Sequence, residues 1–336
     1  MSHARQAALR GRLAGPLLLV MAAVLGVTGL LASPAGATTA TAASPATSVS
    51  SAAPVEASIS IIMLGMSGLN PQDGTFNATF YLGVSCTQEC DHAGWELVNA
   101  NSMSSELVTE EDGQWWWRVQ GTFVFQPDIR LFPFDTQQLP IVIEHKRLAA
   151  SSLVFVPDVA GSEVSEDVAV PGWVVEPFTF TAGSSEYVSL GSAFSRLTFT
   201  IPVGRSTLAG ITKYYIPLAI FILLGVSTLV LARSDYQIRT GGTALVGLTI
   251  FYLATSGGVA TVGYLTLWDL SVLLGYLILG LVLVCGVIGA YLYHEGAYEG
   301  PEGDARNKRM RFRFLRGTVV LVALGSLGIA LIGTLT

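Results

Sequence analysis

Four long apolar segments limit what this chain can fold into more than any other feature. They run from Ile211 to Ala232, Gly241 to Val262, Leu270 to Tyr293 and Gly317 to Thr336. About 20 such residues form a helix of roughly 30 Å, enough to cross the hydrocarbon of a bilayer. Composition agrees with a membrane protein. Only 12% of the 336 residues are charged and mean hydropathy is +0.55, whereas soluble domains carry about 25% charged residues. An ordinary cytoplasmic enzyme is excluded.

Orientation follows from the placement of Lys and Arg, which accumulate on the cytoplasmic side. Arg233 and Arg239 fall between the first two segments. Arg306, Lys308, Arg309, Arg311 and Arg313 fall between the last two, with Arg316 just after. The short link from Gly263 to Asp269 has no basic residue. Both basic links therefore belong inside, and the N-terminal part and the C-terminus outside. The leader agrees: residues 1–37 place Arg5, Arg10 and Arg12 before an apolar run and end in Ala35-Gly36-Ala37, which reads as a signal peptide. An uncleaved anchor helix is the alternative. Residues 38–56, nearly all Ala, Ser, Thr and Pro, read as a disordered linker.

Residues 57–206 form the exported region, and residues 207–336 the four-helix part with a short cytoplasmic loop at 294–313. The exported region holds no window of spanning length. Its short alternating runs (Ile59 to Leu64, Phe76 to Val84, Trp115 to Phe125, Leu139 to Ile143, Trp173 to Phe180, Phe194 to Val203) predict an all-β domain. Asp112-Gly113 before the Trp115 run predicts a hairpin turn. Trp115-Trp116-Trp117 alternate faces in a strand and read as packing residues more readily than as a stacking platform. From Thr38 to Arg205 there are 18 acids and 6 bases, so the exported half is acidic. Nucleic-acid binding is disfavoured, because the one basic cluster is short and lies between apolar segments.

Cys86 and Cys90 lie where a disulfide persists, but their spacing closes only a small loop and leaves the bridge open. Cys285 reads as a small apolar packing residue. No zinc spacing, nucleophile–base pair, P-loop or dinucleotide fingerprint occurs in the sequence. No catalytic role and no cofactor are expected.

The residues now carry a resemblance. Phe132-Pro133-Phe134-Asp135, followed by Gln137 and Leu139-Pro140-Ile141, closely resembles the hallmark loop of pentameric ligand-gated ion channels, the Cys-loop receptor superfamily. Phe125 and Leu139 stand where animal members carry the bracketing cysteines, so the sequence looks like the bacterial branch that lacks the Cys-loop disulfide. Arg205 resembles the family's arginine before the first helix, and Pro217 that helix's proline. Gly172-Trp173, Leu97-Val98-Asn99 and Gly263-Tyr264-Leu265-Thr266-Leu267-Trp268-Asp269 resemble further family positions. The resemblance spans about residues 57–336. It implies an immunoglobulin-like extracellular β-sandwich of about ten strands, a four-helix transmembrane bundle, and a cyclic pentamer in the plasma membrane. Two departures stand out: the stretch from Cys86 to Trp95 is short, and Asn70 replaces an acid common in the first interstrand loop, with Asp73 nearby.

A pore needs one helix per subunit to present a stripe at helical period. The second segment offers Arg239, Thr243, Val246, Ile250, Leu253 and Gly257, with Asp235 at the cytoplasmic mouth. A hydroxyl ring substitutes for ion hydration, and apolar rings gate by dewetting. Asp235 and the acidic outer domain favour cations, Arg239 favours anions, and the balance leans to cations.

The resemblance also implies an agonist site between subunits. By position, Val98 and Asn99 fall in one loop, His145, Lys146 and Arg147 in a second, Tyr187 in the capping loop and Tyr81 on the neighbour. Lys146 stands where animal receptors often have Trp, so the cage for a quaternary amine is incomplete. A proton or a small anionic or neutral ligand fits better, and His145 is the residue there that titrates near neutrality by default. Gating coupling falls to Asn70, Phe132, Pro133, Phe134, Asp135, Arg205, Pro217 and Tyr264, with Asp135 and Arg205 paired beside Tyr264. The partners implied are further copies of the chain, bilayer lipid, inorganic ions and that small ligand or proton. The rival reading is an extracellular β-sandwich sensor or adhesion module on a helical anchor.

Overall fold

A computed structural model describes residues 53–111, 113–230, 234–296 and 300–335. The expected signal peptide lies outside the described residues, as do most of the linker and the Asp112 half of the predicted turn. Gly113 has φ +75°, which a glycine adopts without a Cβ penalty. The chain divides into two compact units. Among the described residues, one holds 53–128 and 135–206; the other holds 129–134 and 207–335.

The first unit is a pair of sheets. Strands β1 (Val55–Asn70), β2 (Thr75–Cys86), β3 (Trp95–Leu97), β4 (Ala100–Glu111), β5 (Gln114–Val124) and β6 (Thr136–His145) come first. Strands β7 (Leu153–Pro157), β8 (Glu163–Val164), β9 (Trp173–Val175), β10 (Thr179–Tyr187) and β11 (Ser192–Arg205) follow. One sheet runs β4-β5-β2-β1-β7 with β8 also on β1; the other runs β10-β11-β6-β3 with β9 on β11. Alternation explains the core. On β11, Leu197, Phe199, Ile201 and Val203 are buried, and Leu139, Ile141 and Ile143 of β6 are buried in the same cluster. Ile59, Ile61 and Met63 of β1 join them with Phe76, Phe80 and Leu82 of β2, so both sheets bury one face in a shared core. That makes eleven described strands, one more than the sequence suggested. Strand β1 begins at Val55, inside the expected linker, because Val55 and Glu56 pair in parallel with Leu153 and Val154.

The Trp run follows the packing reading. Trp117 is buried edge-on to Trp95, and Trp115 stacks on His92 at 3.8 Å between centroids. Trp116 lies over Gly83, where a Cβ would come within 2.8 Å of its ring. Any larger residue there would push the Trp116 ring aside.

The second unit contains helices α1 (Thr207–Val230), α2 (Ser234–Ser256), α3 (Leu267–His294) and α4 (Gly300–Leu335). Two of them, Thr207–Val230 and Leu267–His294, are long and apolar enough to cross a membrane. Helix α1 has a π-helical turn at Ile211–Tyr215, directly before the α-helical stretch that holds Pro217. Proline lacks an N–H to bond one turn back, and a widened turn accommodates that loss. Helix α3 starts three residues before the apolar segment read from sequence, because Thr266 and Asp269 form a capping box. Thr266 Oγ1 accepts from Asp269 N at 3.1 Å, and Asp269 Oδ2 accepts from Thr266 N at 2.9 Å. Most of the expected loop at 294–313 is helical, since α4 begins at Gly300.

Candidate functional site

Helix α2 has two opposed faces. Gln237, Gly241, Ala244 and Leu248 are buried, at steps of 4, 3 and 4 residues. Gly241 and Ala244 are small enough for close approach: a Cβ on Gly241 would meet Val282 and Leu283 of α3 at 3.4 and 3.5 Å. The other face carries the stripe read from sequence. Asp235, Arg239 and Thr243 are exposed, and Val246, Ile250 and Leu253 are 59%, 62% and 64% exposed. Thr243 Oγ1 donates to the carbonyl of Arg239 at 2.9 Å, so its oxygen lone pairs are left outward. Gly257 departs from the expectation. The helix ends at Ser256, so Gly257 lies in the turn that follows. The Gly257-Gly258 pair is a poor helix former, and the stripe stops at Leu253.

In the β unit most of the residues that the resemblance assigns to an agonist site are committed to the chain itself. Asn99 Nδ2 donates to the carbonyls of Val124 and Pro140 at 2.9 and 2.8 Å, while its Oδ1 accepts from Val142 N at 2.9 Å. Asn99 thus joins β5 to β6. His145 is buried, and its Nδ1 accepts from Arg147 N at 3.2 Å and Leu148 N at 2.9 Å. The ring proton therefore sits on Nε2, which faces the Asp91 carbonyl at 3.3 Å. The geometry makes His145 the cornerstone of the 146–148 turn.

Tyr187 Oη donates to Glu144 Oε2 at 2.9 Å, and Arg196 pairs with Glu144 through Nε and with Tyr187 Oη at 3.3 Å. Glu144 and Arg196 are direct partners in the β6–β11 register, which places the ion pair across the two strands. Neither was singled out from sequence. In the fold, alternation along β6 fails at its end, where Ile143, Glu144 and His145 are all buried, a break that the sequence itself does not mark. Asp91 was also missed. Arg147 Nη2 donates to its Oδ2 at 2.7 Å and holds that carboxyl below its ordinary value of 3.8, while partial burial works the other way. Lys146 is exposed beside this group, and Val98 is exposed on the loop before Asn99. Tyr81 belongs to the other sheet, paired in register with Ile62 and Arg118. The sulfurs of Cys86 and Cys90 lie at bonding distance, with Cα atoms 6.3 Å apart.

The residues read as coupling gating separate into two groups. In the β unit, buried Asp135 accepts from Arg205 Nε at 2.8 Å, from Arg205 Nη2 at 3.2 Å and from Gln137 Nε2 at 2.6 Å. The Arg205 guanidinium also lies 4.2 Å over the Trp173 ring, its register partner on β9. Gln137 closes the neck of the loop: its amide donates to the Asp128 carbonyl at 2.7 Å and accepts from Asp128 N at 3.1 Å. Asn70 caps the β1–β2 turn with Asp73, its Nδ2 donating to Asp73 Oδ2 at 2.7 Å.

Residues 129–134 pack within the helical unit. Tyr264 Oη accepts from Ile129 N at 3.1 Å and its ring lies 5.0 Å under the Arg130 guanidinium. Tyr264 is thus partnered by Ile129 and Arg130. Leu267 N donates to the Arg130 carbonyl at 2.8 Å and Trp268 N to the Phe132 carbonyl at 3.1 Å. Phe132 meets Tyr214 edge-on at 5.0 Å, Phe134 stacks on Tyr215 at 5.5 Å, and the Pro133 carbonyl would lie 3.0 Å from a Cβ on Gly210.

Over 199 residues, 59% of its length, the chain is 19% identical to a protein of Gloeobacter violaceus described as a proton-gated ion channel. The likeness is to an ion channel. It supports the channel family suggested by the hallmark loop, at the level of family and membrane location. The match covers 55% of the relative, so the chain spans about half the length of the curated protein it matches. No protein-family model matches the chain.

Proposed function

We propose that this chain is one subunit of a homopentameric, ligand-gated ion channel of the plasma membrane. All four helices cross the bilayer, with the β unit and the C-terminus outside, and α2 lines the pore. One observation carries the reading: the two faces of α2. Its small-residue face is packed against the bundle, while the opposite face leaves Val246, Ile250 and Leu253 exposed on the extracellular side of a row of polar and charged residues. Among the described residues that stripe is left more than half exposed at its apolar levels, whereas five copies arranged as a ring make it a wall with charged, hydroxyl and apolar levels. A simple anchor has no use for Arg239 and Thr243 at that spacing.

Cation selectivity is supported by the outward lone pairs of Thr243, by Asp235 one turn before Arg239, and by the acidic β unit. The stimulus is a proton or a small ligand, and the activity named for the distant relative makes protons the first to apply. Asp91 is a poor candidate for the proton acceptor, because Arg147 keeps it ionised throughout the range from pH 5 to 8.

The test is recording from the purified chain in planar bilayers across pH and ligands, with its mass in detergent measured in parallel. Five chains per particle and a stimulus-dependent cation current are expected. A monomer, or an intact oligomer that never conducts, would leave the anchored sensor as the reading.

A further inference from the structure

Between Cys86, which ends β2, and Trp95, which opens β3, residues 87–94 form neither strand nor helix. The first part of this segment is tied covalently. The Cys86–Cys90 bridge encloses Thr87, Gln88 and Glu89, all of them exposed. The second part is held by the 145–148 turn. Lys146 N donates to the Gly94 carbonyl at 2.8 Å, Arg147 Nη2 donates to Asp91 Oδ2 at 2.7 Å, and His145 Nε2 faces the Asp91 carbonyl at 3.3 Å. A Cβ on Gly94 would overlap the His145 ring, so segment and turn are in direct contact. On its other side His92 lies flat on Trp115 of β5. Asp91 follows Cys90 at once, so the bridge fixes the point from which these contacts are made.

Two features set this bridge apart from a structural brace. A disulfide stabilises more the longer the loop it closes, and three enclosed residues remove little freedom from the unfolded chain. Its sulfurs are also within reach of solvent. Both cysteines are half-buried, and Cys90 borders an open cavity of about 370 Å³ with Glu89, Asp91, Leu148 and Ser152, a size that suits a small molecule. We propose that Cys86–Cys90 is a site of reversible exchange with low-molecular-weight thiols, and that its redox state sets how firmly the 145–148 turn is held. A small thiolate attacks the Cys90 sulfur from the cavity; the bridge breaks, and Cys86 leaves as a thiolate that takes up a proton. A second thiolate attacks the small-molecule sulfur of the mixed disulfide, and Cys90 leaves and is protonated in turn. Two thiols thus give up two electrons and two protons and become one free disulfide, while Cys86 and Cys90 become thiols. A small disulfide runs the same steps backward. With the bridge open, the contacts from Asp91 and Gly94 must order residues 87–94 unaided, and the turn they hold opens more often.

The experiment treats the full chain in detergent with millimolar cysteine at mildly alkaline pH, then with iodoacetamide, and mass spectrometry reads alkylation at Cys86 and Cys90. Limited digestion with trypsin reads the turn, because Lys146 and Arg147 are exposed cleavage sites within it. Both cysteines should be alkylated while cooperative thermal melting is kept. Cleavage after Lys146 or Arg147 should quicken about fivefold, the factor for one backbone hydrogen bond that no longer opposes opening. C86S/C90S should digest at the fast rate with or without cysteine, and cystine added to reduced, unalkylated wild type should restore the slow rate. Should C86S/C90S fail to fold, wild type reduced after folding decides alone. A bridge that survives the treatment, or cleavage that is unchanged once the bridge is open, overturns the proposal. So does a reduced wild type that no longer melts cooperatively, since the bridge would then be a brace. None of these outcomes bears on the channel reading, which stands or falls with the current.

Discussion

The polar residues of the β unit and the stripe on α2 are in opposite situations. Asn99, His145, Glu144 and Asp135 have partners at every turn, and each partner belongs to the same chain. Val246, Ile250 and Leu253 are more than half exposed and touch little. One region is internally complete; the other, on the channel reading proposed above, is completed by further copies. The difference separates two kinds of importance. Substitution in the first should be read in stability, and substitution in the second in conduction.

The comparison meets its hardest test at Asp135. Asp135→Ala would leave Arg205 without its carboxylate in a half-buried site, at a cost of about 3–5 kcal/mol in unfolding. Thermal melting in detergent checks this, and a loss below about 1 kcal/mol would mean that the pair is dispensable to the fold. Asp135→Asn and Arg205→Gln, combined in a double-mutant cycle on the half-maximal stimulus, then ask whether the pair also transmits gating. Additive effects would show that the two residues are not coupled. His145→Ala should come next, at about 2 kcal/mol, since it strips the acceptor from the Arg147 and Leu148 amides. If melting is unchanged while the pH response disappears, His145 is a sensor and the cornerstone reading fails.

The α2 stripe should behave the other way. Val246→Ser and Ile250→Ser are expected to shift stability by no more than about 0.5 kcal/mol, as exposed positions do. Both should raise open probability by wetting the apolar rings. Melting that drops by several kcal/mol with unaltered currents would mean the stripe packs inside the subunit. The smallest effect is expected at Arg147→Ala. The Asp91 carboxyl is held below its ordinary value of 3.8, so the pair stabilises the fold above that pH and is lost as pH falls through the lowered value. Arg147 is 77% exposed, so about 0.5 kcal/mol or less is expected, present at pH 7 and lost as pH falls through the lowered Asp91 value. An effect confined to pH 5–7 would point to a different titrating group.

What could be read from the sequence followed how local its cause was. The helices were legible from apolar runs, but their ends were not. The start of α3 depends on the Thr266–Asp269 box, and α4 continues through a basic stretch that looks like a loop when hydropathy is the guide. Strand β4 was invisible: Ala100–Glu111 is almost wholly exposed at a sheet edge, so no alternation marks it, and two bulges against β5 break its register. The α2 stripe could be read because its period is contained within one helix. The Glu144–Arg196 pair could not, because 52 residues separate its members and only strand register joins them. The place of His145 in the 146–148 turn could not be read either, because its two backbone donors are supplied only by the folded turn.

The loop at 129–134 changes what it would mean to take this protein apart. Its neck belongs to the β unit, where Gln137 holds Asp128, while its tip is built into the helical unit by Phe132, Phe134 and Tyr264. The chain therefore passes between units three times over the described residues, at 128/129, 134/135 and 206/207. Ending a secreted version at Arg205 would sever only one of these passages and would leave two aromatic rings stripped of their partners. A soluble β unit would need the tip recast as well, with Phe132 and Phe134 exchanged for polar residues and the Asp128–Gln137 neck kept.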